Sequence, residues 1–156
     1  MTKQSTGWGG KRAGAGRPRK DGLRGPGVPH LVRSVTRRSP LHVTWKIKDD
    51  VVSLRSRRSL DALSQAMSNG SNKFGFRLLH YAVIGNHIHL IVEANDRRSL
   101  GRGMKGLGVR ISKGLNRVME RHGRVLHDRY EAQILRTPTE VKRMQQYFLK
   151  NGHRED

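Results

Sequence analysis

The chain has 156 residues, enough for one domain with a sizeable core and a tail. Lysine and arginine number 32 against 12 acidic residues, and the formal net charge of +20 favours a polyanionic partner, nucleic acid before any other. There is no cysteine, which excludes disulfides, Fe–S clusters and thiolate zinc sites; no apolar run is long enough for a signal-peptide core or a membrane span, so no membrane partner is expected.

Residues 1–39 read as a basic, glycine-rich tail. They carry ten Lys/Arg against the single acid Asp21, and too little apolar surface to offset the entropy of ordering. Residues 40–156 read as the folded domain. Leu41 to Lys48 alternates and is rich in β-formers, which predicts a strand. Ser59 to Ser68 places Leu60, Leu63 and Met67 at helical spacing, with Asn69-Gly70 as the stop. Phe74 to Ile84 predicts a second strand, and Gly85-Asn86 a two-residue turn. His87 to Glu93 predicts a third, with Ile88, Leu90 and Val92 on one face and His87, His89 and Ile91 on the other.

A long helix follows over Arg97 to Arg121. Leu100, Met104, Leu107, Ile111, Leu115 and Val118 form its apolar stripe, while Arg102, Lys105, Arg110, Lys113, Arg117 and Arg121 fall on the opposite arc. Its glycines at 101, 103, 106, 108 and 114 each weaken it by up to about 1 kcal/mol relative to Ala and predict fraying or a bend. Tyr130 to Leu135 predicts a short fourth strand. The last helix starts with Thr137 at the N-cap, Pro138 at N1 and Glu140 closing a capping box; Val141, Met144 and Phe148 are its apolar stripe. The order β-α-β-β-α-β-α implies an α+β fold: a ferredoxin-like or RRM-like antiparallel sheet with helices packed on it. The last helix would then cover the histidine-bearing face.

The chemistry concentrates in two places. His87 and His89 flank Ile88 on one strand, so both imidazoles face the same way. They read either as semi-exposed residues of an amphipathic strand or as half a metal site. With no thiolate available, the second reading favours Mg²⁺ or Mn²⁺ on a phosphate over structural Zn²⁺, with a carboxamide oxygen of Asn151 as a third ligand. Tyr147 lies one helical turn before Asn151, so both face one site. It is either a boundary residue with its hydroxyl in water or a nucleophile activated by a metal-bound phosphate and nearby cations. His42 is a further candidate near the site from a neighbouring strand.

Two other stretches point to DNA. Gly14-Ala15-Gly16-Arg17-Pro18-Arg19-Lys20 is similar to an AT-hook, in which an extended Arg-Pro segment lies in a narrow, AT-rich minor groove; the other reading is a generic basic linker. Arg17, Arg19 and Lys20 are its DNA-contacting candidates. On the long helix, Arg102, Lys105, Arg110, Lys113 and Arg117 read as a track for the DNA backbone or as a solvated face.

The run Gly85-Asn86-His87-Ile88-His89-Leu90-Ile91-Val92, placed at the end of a strand-turn-strand unit, resembles the HUH signature of single-tyrosine transposases. Tyr147-Phe148-Leu149-Lys150-Asn151 resembles that family's tyrosine helix, and the REP-associated tyrosine transposases are the branch it looks most like. Gly85 and Gly152 stand where the family usually has proline. The resemblance covers residues 40–152. It implies that Tyr147 attacks a phosphate of single-stranded or hairpin DNA to give a 5′-phosphotyrosine link and a free 3′-OH. It further implies that His87, His89 and Asn151 hold the divalent metal. The short connection Arg136 to Pro138 favours a site within one chain, whether the protein is a monomer or a homodimer. The expected location is cytoplasmic, at the nucleoid. Two rivals remain: a domesticated, non-catalytic nucleic-acid-binding module, and a histidine-based metallohydrolase that uses water.

Overall fold

The computed structural model describes residues 35, 39–51 and 54–152; the AT-hook-like segment and the rest of residues 1–34 lie outside the described residues. The elements run β1 (Leu41–Lys46), α1 (Arg57–Gly70), β2 (Asn72–Lys73), β3 (Phe76–Ile84), β4 (His87–Ala94), α2 (Arg97–Val118), β5 (Glu131–Ile134) and α3 (Pro138–Asn151). One five-stranded sheet has the order β2-β3-β4-β1-β5, and its strand pairs are antiparallel. Without the short β2, this is the ferredoxin-like sheet predicted from the element order.

Alternation along the strands decides which side each helix covers. Val43 and Trp45 of β1 and Ile88, Leu90 and Val92 of β4 face the main core, where Leu100, Met104, Leu107, Ile111 and Leu115 of α2 meet them beside Leu63 and Met67 of α1. On the opposite face Ala82, Ile91, Leu135 and Phe148 form a second, smaller cluster that seats α3, with Val141 and Met144 at its margin. The His87/His89/Ile91 alternation predicted for β4 therefore puts both histidines under α3.

Several boundaries differ from the sequence reading, each for a local reason. α1 starts earlier than expected, because Ser56 caps it: its Oγ accepts the Ser59 N–H at 3.3 Å. Asn69-Gly70 does end the helix, with Gly70 its last residue. Gly70 is still helical and lets Leu107 approach closely, since a Cβ there would lie 3.0 Å from the leucine Cδ1. The strand expected from Phe74 begins at Phe76, because Phe74 and Gly75 are the left-handed centre (φ 54° and 76°) of a tight turn joining β2 to β3.

α2 is a continuous helix of 22 residues, not a frayed one. Two of its glycines mark close approaches: a Cβ on Gly103 would lie 2.1 Å from Phe76 Cγ, and one on Gly108 would lie 2.5 Å from Trp45 Cη2. Packing gained there offsets the poor helix propensity. The helix ends at Val118 rather than Arg121; Glu120 turns left-handed (φ 50°). At α3 the cap is as predicted, with Thr137 Oγ1 accepting the Glu140 N–H at 3.2 Å. The reciprocal arm goes one residue further back, the Glu140 carboxylate accepting the Arg136 N–H at 2.7 Å.

Candidate functional site

The site lies on the sheet face under α3. Antiparallel pairing puts Thr44 opposite His89 and Lys46 opposite His87, so these side chains share one face with His42. His42 and His89 stack with ring centroids 5.4 Å apart and 9° between planes, and His42 Nε2 lies 3.1 Å from His89 Nδ1. One of these nitrogens carries the proton and donates it to the other. Thr44 Oγ1 sits 3.4 Å from the same His89 nitrogen and 3.5 Å from that of His42. His87 flanks His89 at 6.1 Å between ring centroids.

From above, α3 brings two aromatic rings to this row. Phe148 is buried and lies 6.0 Å from His42 and 6.1 Å from His89, centroid to centroid. Tyr147, its neighbour in sequence, meets His89 edge-on at 6.2 Å and keeps 44% of its surface exposed. A tyrosine beside a buried anchor on the same helix is thereby held at the mouth of the site, with its ring fixed and its rim in water. Gln145 Nε2 further ties α3 to β3 by a 2.8 Å hydrogen bond to His80 Nε2.

Burial disfavours the charged forms of His42 and His89. Desolvation, then repulsion from His42 and His87, lowers the His89 pKa to about 4, and desolvation lowers that of His42. Neutral imidazoles are what a divalent cation requires. Two nitrogens bound at right angles to one ion at ~2.1 Å would lie about 3.0 Å apart, close to the His42–His89 spacing. With the proton between them displaced, His42 and His89 would offer two nitrogens to a cation whose remaining ligands come from elsewhere. Among the described residues no group of three or more His, Cys, Asp or Glu side chains encloses an ion unaided.

The predicted residues divide by location. His87, His89 and Tyr147 come together, and His42, weighed only as a neighbour in the sequence, lies at the centre. Asn151 is one turn beyond Tyr147, but its Nδ2 donates to the Tyr147 carbonyl at 3.0 Å, so its carboxamide is engaged along its own helix. Arg102, Lys105, Arg110, Lys113 and Arg117 are not brought to the site. The apolar stripe of α2 covers the other face of the sheet, so those cations lie across the sheet from the histidines. Sequence reasoning missed Thr44 and Lys46, which strand alternation from His42 would have found. It also missed Arg143 and Lys150, exposed on α3 at helical spacing from Tyr147.

Gly85 has a physical role. It opens the β3–β4 turn at φ 60°, a left-handed conformation that proline cannot adopt. The Asn86 carbonyl accepts the Ile47 N–H at 2.8 Å and its side chain reaches Asp49 at 2.9 Å, which fixes the turn before His87.

No helix among the described residues is long and apolar enough to cross a membrane. No curated protein matches the sequence. Among solved structures, the fold is similar to that of a REP-associated tyrosine transposase bound to a REP hairpin, with 15% identity and a TM-score of 0.58 over 80% of this chain and 72% of that one. It is also similar to a Deinococcus radiodurans R1 protein assigned as a transposase, with 15% identity and a TM-score of 0.53 over 80% of this chain and 98% of the other. At such identity these likenesses bear on the fold alone. The family model for IS200-like transposases matches residues 35–150, and the protein belongs to that transposase family.

Proposed function

We propose that this protein is a DNA strand transferase that cleaves and rejoins single-stranded, hairpin-forming DNA through Tyr147. The observation that carries the reading is the edge-on approach of Tyr147 to His89, on the face that His87 and His42 share, within a single chain. In this reading the Tyr147 oxygen attacks phosphorus, and a phosphotyrosine P–O bond forms as the P–O3′ bond breaks. The phenolic proton leaves to water, and the released 3′ oxygen takes up a proton. Attack by a 3′-OH on the phosphotyrosine reverses the step and rejoins strands.

The chain's own residues supply position and charge. Phe148 sets the tyrosine ring; Arg143 and Lys150 beside it, and Lys46 across from His87, offer cations to the phosphate. His87 and His89 would hold a Mg²⁺ or Mn²⁺ ion, with His42 as a further nitrogen and the Asn151 Oδ1, which the Nδ2 bond to the Tyr147 carbonyl does not occupy, as an oxygen. Such an ion, when bound, neutralises charge at the scissile phosphate.

The test is an adduct assay with labelled single-stranded hairpin DNA and Mn²⁺, read on a denaturing gel. A slow band that resists denaturation, and that is lost with EDTA and in Tyr147→Phe, is the expected result. Cleavage that survives Tyr147→Phe would instead identify a metallohydrolase using water. Tight binding with no adduct on any hairpin would identify a non-catalytic binding module.

A further inference from the structure

The β2–β3 hairpin carries an aromatic side chain that the fold does not use. Phe74 and Phe76 are separated only by Gly75, yet they part company. Phe76 is 2% exposed and closes over Gly103, while Phe74 is 71% exposed, more than any other large apolar residue among those described. Phe74 also occupies a left-handed position (φ 54°) at the centre of a tight turn, where asparagine or glycine is the usual choice. An exposed phenylalanine in an unfavourable conformation serves neither burial nor turn formation.

Its surroundings suit a nucleic-acid base. The Arg102 guanidinium lies over the ring, 4.7 Å from the centroid. Lys73 precedes it and is exposed. The one acid lining the adjoining cleft, Glu93, is engaged by Arg77, while Lys73 and Arg102 keep the surroundings of the ring cationic. A cleft of about 400 Å³ runs beside the ring, lined by Lys73, Phe74, Arg77, Glu93 and Asn95 among others. The tip is also held in place: the Asn95 N–H donates to the Gly75 carbonyl at 3.0 Å, and a Cβ on Gly75 would lie 2.6 Å from the Asn95 amide nitrogen. A fixed aromatic face flanked by cations is the arrangement that stacks single-stranded bases.

We propose that Phe74, backed by Arg102, is a stacking platform for one unpaired base of the bound DNA, remote from the tyrosine site. This rests on the DNA-binding reading above. Phe76 pairs with Ala94, five residues along β4 from His89, about 17 Å at strand rise. At ~3.4 Å per stacked nucleotide, that distance corresponds to about five nucleotides between the stacked base and the phosphate at Tyr147, and to fewer where the strand is extended.

Phe74→Asn separates this role from a structural one, because asparagine favours the left-handed turn while removing the ring. The experiment measures thermal stability together with anisotropy titrations of fluorescein-labelled dT20 and of a stem-loop with a dT loop. The expected result is an equal or higher Tm with affinity lowered about ten-fold, within the range for loss of one base stack, and near wild-type affinity in Phe74→Tyr. In Phe74→Trp, indole fluorescence should be quenched when either DNA binds. Wild-type affinity in Phe74→Asn, or an unquenched Phe74→Trp with DNA bound, overturns the platform while leaving DNA binding intact. Failure of the wild-type protein to bind either DNA overturns the platform and the DNA-binding reading together.

Discussion

Replacing Phe148 by alanine tests how the tyrosine is positioned. Phe148 is 4% exposed and is the one fully buried residue of α3; with Ala82, Ile91 and Leu135 it forms the small cluster that seats the helix. Truncating a buried phenylalanine costs about 3–5 kcal/mol when the cavity stays open. The other α3 contacts are marginal: Val141 and Met144 are half-buried, and the Gln145–His80 bond is exposed. The helix therefore undocks before the full penalty is reached, and global stability falls by less, about 2–3 kcal/mol, the upper end of the usual range for a single substitution. For a domain of this size that is roughly 8–12 °C in Tm. The main core, on the other side of the sheet, stays folded.

Two readouts isolate the effect in Phe148→Ala. Amide exchange should accelerate in residues 138–151 while α2 amides keep their protection, and the tyrosine adduct should be lost. The same ring desolvates His42 and His89, so NMR titration should find the His89 pKa risen from about 4 toward its ordinary 6.5. Retained α3 protection together with an unmoved His89 pKa would refute the claim that Phe148 both anchors the helix and dries the histidines.

Glycines in α2 should respond in opposite directions. Gly108→Ala drives a methyl into Trp45 and should lose about 1–3 kcal/mol to overpacking, while Gly101→Ala faces open space and should gain up to ~1 kcal/mol; thermal melts that reversed this order would remove the close-packing account. Acid should destabilise the fold through His89. Its pKa is about 4 in the native state against 6.5 unfolded, so the unfolded chain binds more protons between those values; stability is full above about pH 6.5 and is lost as pH falls from there through about 4. The whole shift corresponds to ~3 kcal/mol, which solvent screening of a partly exposed ring reduces to about 1 kcal/mol; a His89→Gln variant should flatten this limb in urea melts run across that window. Reversing charge at Arg110, Lys113 and Arg117 should weaken DNA binding alike for all sequences and lower its salt slope. Unchanged affinity in salt titrations would make that arc a solvated face, as its position across the sheet from the histidines also permits.

Much of the site was legible because it depends on local geometry. Strand alternation places His87 and His89 together whatever they pack against. The capping box at Thr137, Pro138 and Glu140 fixes where α3 begins, and hence that Tyr147 and Asn151 share a stripe. The spacing of Leu100, Met104, Leu107, Ile111 and Leu115 defines the buried side of α2. These are properties of a chain meeting its own neighbours over one to four residues, and the amino-acid sequence by itself determines them.

Only the tertiary structure decided what lies opposite what. His42 reaches His89 because β1 pairs with β4 in one register, and a register shifted by one residue would send His42 to the other face. Glycines that read as weak points in α2 became contact points once Phe76 and Trp45 came to rest on them. The basic arc of that helix was visible in the sequence, but its separation from the histidines followed from which face the apolar stripe found. Asn151 shares the tyrosine's stripe as predicted, yet its amide bonds the helix carbonyl one turn back. Apart from that bond within α3, each outcome turns on contacts between segments tens of residues apart, whose pairing is set by the combined burial of both faces of the sheet and by no local signal.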